Sequence, residues 1–193
     1  MLSYGGDVAA GGSRVPRGVR VCHDLGVHVV LVAGSEPVAE DVARAWATGS
    51  PRSVVEQVVL SARPSTPDAG PVSGGAPRGV FVPTTSLGLA SVTPPPVPPD
   101  VAHLRDRVAA ADLVVVHVEV LDVDGLQAGR VADAAQAAAA HAVPVVVLAE
   151  RSESTRREWS GAGVSGVHEL GAPPAGAEDV VARIARTWAP GWA

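Results

Sequence analysis

Short, uninterrupted apolar runs alternate along this chain with stretches whose apolar positions recur every three or four residues. The run at 27–33 (VHVVLVA) is bounded by Gly26 and Gly34, and its length and β-branching predict a buried strand. In the segment that follows, Ser35 is expected to cap a helix, Glu36 suits the positive end of its dipole, and Pro37 is tolerated in a first turn. Val38, Val42, Ala45 and Trp46 share one helical face, and Gly49 is the expected stop. A second strand is predicted at 53–60 (SVVEQVVL).

Residues 63–99 break the pattern. They hold ten of the chain's 17 prolines, so no central strand or helix fits there. A long surface connection is expected, partly polyproline-like, with one strand-like piece at 79–82. Order resumes at Asp100, a suitable helix cap, with Val101, Leu104 and Val108 on one face. The clearest buried strand follows at 112–118 (DLVVVHV), then an Ala-rich helix at 128–142 and a third apolar run at 143–149 (VPVVVLA). The spacing of Thr155 and Glu158 predicts a capping box opening a short helix that ends near Gly161. A weaker strand is expected at 164–170, and Val180, Val181, Ile184 and Trp188 line a final helix.

Strands alternating with helices, with the best strands apolar on both faces, predict an α/β fold. The expected form is a three-layer, doubly wound, mostly parallel, Rossmann-like sheet. Residues 1–20, Gly-rich and aperiodic, are expected to be a flexible arm. Residues 21–193 then form a single domain interrupted by the 63–99 connection. Ligands of such sheets sit beyond the carboxyl ends of the strands. The places to look are Gly34-Ser35, the 117–126 loop and the 149–154 loop.

Composition narrows the classes. With a formal net charge of -5 the chain lacks the cationic surface a nucleic-acid binder needs. A single cysteine, Cys22, supports neither a disulfide framework nor a Cys-rich zinc site and suits a reducing cytoplasm. No uncharged apolar run approaches the ~20 residues of a membrane span, and the first residues do not read as a signal peptide. The 15 basic residues are all arginine, so a missing lysine is weak evidence against a lysine-dependent activity.

Several residues could carry chemistry. Glu119, Asp122 and Asp124, at the end of the 112–118 strand, could hold Mg²⁺ beside a phosphate, or one could accept a hydroxyl proton; the plain alternative is a solvated acidic loop. Gly34 and Ser35 stand between a strand and a helix N-terminus, an anion site by default, although the Walker spacing is absent. Arg151, Arg156 and Arg157 flank a capped helix and are either phosphate ligands or solvated charges. The six histidines show no ligand spacing, and no serine sits in a nucleophile elbow. Of the histidines only His117 falls at the expected crevice, where a packed side chain is the simpler reading.

The stretch 111–149 resembles the C-terminal part of the bacterial glycerate kinases. The matching residues are Ala111, Asp112, Leu113, Val114, Leu121, Asp122, Leu126, Val143, Pro144, Val145, Val146, Leu148 and Ala149. The opening at 29–49, the strand at 53–60 and GAGVSGVHEL at 161–170 follow the family's order. The resemblance implies phosphoryl transfer from ATP with Mg²⁺, with Asp122 as the motif aspartate; the family's Gly-Lys pair becomes Ala128-Gly129 in strict register, or Gly129-Arg130 with one inserted residue. It also departs from the family. The lysine loop is missing, His117-Val118-Glu119-Val120 replaces Gly-Glu-Gly-Arg, and the inserted domain gives way to 63–99. The expectation is therefore a shortened relative with lost or very weak kinase activity that keeps a crevice for an anion or nucleotide. The alternatives are an active glycerate kinase and a purely structural or oligomerising domain, and homo-oligomerisation stays open.

Overall fold

A computed structural model describes residues 26–61, 97–171 and 176–190. The expected arm at 1–20, Cys22 and nearly all of the 63–99 connection lie outside the described residues. Among the described residues five strands pair in parallel throughout: β1 (His28–Ala33), β2 (Val54–Val59), β3 (Leu113–Leu121), β4 (Val145–Ser152) and β5 (Gly166–Glu169). Their order across the sheet is β2-β1-β3-β4-β5, the flavodoxin-like arrangement. The three strongest apolar runs are neighbours at its centre, as expected of strands with no polar face.

Helices cover both faces. α1 (Glu36–Gly49) is the first; α2 (Pro99–Val108), α3 (Val123–Gln127), α4 (Arg130–Ala139) and α5 (Arg156–Gly161) follow, and α6 (Ala177–Trp188) is the last. Strand alternation sorts the core in two. Val29, Leu31, Leu113, Val115, Val146 and Leu148 face α1 and α6, whereas Val30, Val32, Val114, Val116, Val145 and Val147 face α2 and α4. Small residues bring the layers close. A Cβ on Gly49 would lie 2.6 Å from the Ala182 carbonyl carbon, so α1 and α6 cross nearly backbone to backbone. No helix among the described residues is long and apolar enough to cross a membrane.

Some local expectations change. Ser35 takes the N-cap position with extended backbone, but its side chain makes no capping bond. Pro98, not Asp100, caps α2, because Pro99 fits the first helical turn; Asp100 accepts from the Val101 amide at 2.9 Å. The expected 128–142 helix is α4, ten residues long, preceded by the separate short α3. β3 and β4 run three residues past their expected ends, because their ladder continues through Val120–Arg151 and Leu121–Ser152. Glu119 and Arg151 therefore lie on strands rather than in loops. The Thr155 capping box forms as expected, with both reciprocal bonds present.

Candidate functional site

The sheet order reverses between β1 and β3, and the crevice beyond the carboxyl ends of those strands is where such folds bind ligands. From β1 the chain supplies Gly34 and then Ser35 at the start of α1. From across the crevice comes Arg130, the first residue of α4. Its guanidinium lies directly on Gly34. A Cβ there would sit 2.6 Å from one terminal nitrogen and 2.8 Å from the central carbon. The same group donates to the His117 carbonyl of β3 at 3.2 Å. Gly129 before it has φ 90°, a conformation open to glycine, and this turn starts α4 where Arg130 can reach β1.

The structure thus joins Gly34, Ser35, Gly129 and Arg130. Of these four, only Gly129 shares a groove with the carboxylates Asp122 and Asp124. Asp122 caps α3: its Oδ1 accepts from the Gly125 amide at 2.7 Å. With Asp124 and Gly129 it lines a broad groove along α3, α4 and α5. Glu119 is exposed near the end of β3, on the strand face opposite Val118 and Val120. Among the described residues, no group of three or more His, Cys, Asp or Glu side chains could hold a metal ion. Glu119, Asp122 and Asp124 thus do not close into a three-carboxylate cluster; Asp122 and Asp124 share a groove, and Glu119 does not line it. Arg151 is exposed and paired with Glu153 at 2.9 Å, and Arg156 and Arg157 are exposed.

The residue the sequence undervalued is His117. It continues the Leu113–Val115 face of β3 and is only 7% exposed. Burial pushes its pKa below the ordinary 6.5; Glu150 pulls it back, Arg130 lowers it further and Glu119 raises it. The net direction leaves the imidazole neutral at pH 7. A polar residue inside an otherwise apolar strand was the signal that could have singled it out.

No protein-family model matches the chain, and no curated protein matches it. Among solved structures, it is similar to a "Putative pilus assembly-related protein" from Burkholderia pseudomallei K96243. The two are 13% identical over 84% of this chain and 92% of that chain, with a TM-score of 0.44.

Proposed function

We propose that this protein is a non-catalytic α/β domain that binds a small anion, phosphate or the phosphate end of a nucleotide, in the crevice between β1 and β3. The observation that carries this reading is Arg130. A guanidinium has five N–H donors, and among the described residues only the His117 carbonyl takes one. It stands beside the amides that open α1, a 14-residue helix whose dipole favours negative charge at that end. Glu36 in the first turn offsets part of that field, so the arginine supplies the main attraction.

The way the acids are used supports the reading without catalysis. Phosphoryl transfer depends on placed cations and a positioned acceptor. Here Asp122 is bonded as the cap of α3, which favours a structural role for it. The resemblance to glycerate kinases thus supports a shared sheet and phosphate crevice better than a shared reaction. The low cysteine content suits a cytoplasmic setting for this role.

Two assays test the proposal. Calorimetric titration with inorganic phosphate and with Mg·ATP is expected to show saturable binding that Arg130→Ala removes. Incubation with Mg·ATP and D-glycerate is expected to give no turnover above background. Turnover approaching ~1 s⁻¹ that falls sharply in Asp122→Asn would establish an active kinase instead.

A further inference from the structure

On the α1/α6 face of the sheet lies a separate space. A cavity of about 210 Å³ opens between α1 and α6, over the ends of β3 and β4. Val42, Leu170 and Val181 form part of its apolar wall, and His117 lines it. The His117 ring makes no hydrogen bond to any described residue, and the residue as a whole is only 7% exposed. The only buried side-chain polar atom without a partner among the described residues is Trp46 Nε1, so the imidazole nitrogens are reached from the cavity and can bond with an occupant.

The charged residues at this cavity are all acidic. Asp41 comes from α1, Glu150 from β4 and Glu178 from α6. Asp41 is paired with Arg44 at 2.9 Å, whereas Glu150 and Glu178 have no ion-pair partner among the described residues. The opening turns of α1 and α6 would by themselves attract an anion. They already carry Glu36, and Glu178 with Asp179, which oppose that field. Among the described residues no arginine lines the cavity, so an anion there would meet the carboxylates first.

We propose that this cavity binds a small organic cation, a primary alkylammonium whose carbon body lies against the valines and Leu170 and whose head is held by Glu150 and the imidazole of His117. Its size sets the class. The space is smaller than the ~300–1,000 Å³ of pockets for drug-sized ligands, and somewhat larger than the ~150 Å³ that holds benzene. A chain of about five carbons suits such a volume. A free amine and the lysine side chain of a partner protein share this chemistry.

The test titrates n-pentylamine and Nα-acetyl-lysine methylamide into the ¹⁵N-labelled protein at pH 7, following the His117 ring resonances. Saturable shifts are expected for at least one of the two, and the tighter binder identifies the source. Glu150→Gln, which keeps the side-chain shape, is expected to weaken binding about tenfold or more, and n-pentanol to bind correspondingly less well. Saturating inorganic phosphate is expected to leave amine binding intact, and the amine titration needs no phosphate, so failure at the anion crevice and failure here are distinguishable. The proposal is overturned if neither amine shifts His117 by about 50 mM, well above the millimolar range of weak ligands. It is equally overturned if 1-pentanesulfonate binds as tightly, or if Glu150→Gln binds unchanged while retaining native circular dichroism.

Discussion

Replacing Gly34 by alanine separates the stability of this fold from the proposed anion site. Gly34 is not among the glycines with positive φ, so its backbone accepts a side chain. The obstacle is the Arg130 guanidinium, 2.6–2.8 Å from the new Cβ, which is the far end of a flexible side chain and can swing away. The change removes backbone freedom from the unfolded chain, worth about 0.4–1 kcal/mol. It breaks the partly exposed Arg130 bond to the His117 carbonyl, worth a similar ~1 kcal/mol. The two nearly cancel, so Tm should stay within about 4 °C of wild type. Phosphate affinity should fall, because the charged donor has left the crevice. Such a contact is worth about 1.5–3 kcal/mol, or roughly ten- to a hundredfold in Kd. Thermal denaturation by circular dichroism and calorimetric titration with phosphate check both halves. If Gly34→Ala leaves affinity unchanged while Arg130→Ala abolishes it, the steric coupling of the two residues is wrong. A stability loss above ~3 kcal/mol would show that backbone, not a mobile arginine, crowds Gly34.

Further expectations concern the scaffold. Gly49→Ala sets a Cβ against the backbone of α6, which cannot swing aside; overpacking of about 1–3 kcal/mol should outweigh the helix-propensity gain and lower the urea midpoint. An unchanged or higher midpoint would contradict the close crossing of α1 and α6. Asp122→Ala should cost about 1 kcal/mol through loss of the α3 cap, and Asp122→Asn only a few tenths. Loss of Mg·ATP binding in a fully folded Asp122→Asn would sink the capping account. His168 accepts from the Trp188 indole at 2.9 Å, and burial, then Arg183, hold its pKa below 6.5; His117 shifts in the same direction. The unfolded chain therefore binds more protons between the depressed folded values and 6.5. This contribution is full above pH 6.5 and is lost as pH falls through that window. The urea midpoint should drop between pH 7.5 and 5.5, and drop less in His168→Gln; parallel curves for the two proteins would refute the assignment.

The central strands were legible because Val29–Val32, Val114–Val116 and Val145–Val147 are buried on both faces and need no polar alternation. The ends of β3 and β4 were not, because polar residues there carry a ladder that runs beyond the buried core. α3 escaped notice because five residues containing Gly125 show no periodicity, and a cap from Asp122 helps hold it. The Thr155 box could be read because both partners lie three residues apart. Gly34 and Ser35 stood out as a strand-to-helix turn, but nothing local announces that Arg130 lies on Gly34. That contact depends on β1 pairing with β3 across a long intervening segment. The cavity beside His117 was equally hidden, since its wall comes from α1, β3, β4 and α6 together.

The central claim is that Arg130 and the Gly34-Ser35 turn form one anion site. A titration of ¹⁵N-labelled protein with inorganic phosphate, recorded on wild type and Arg130→Ala, tests it most directly. Saturable shifts of the Gly34 and Ser35 amides and the Arg130 side chain are expected in wild type, with the amide shifts lost in the variant. Shifts centred instead on Asp122, Asp124 and the α3–α4 groove, or no shifts at Gly34 and Ser35, would contradict it.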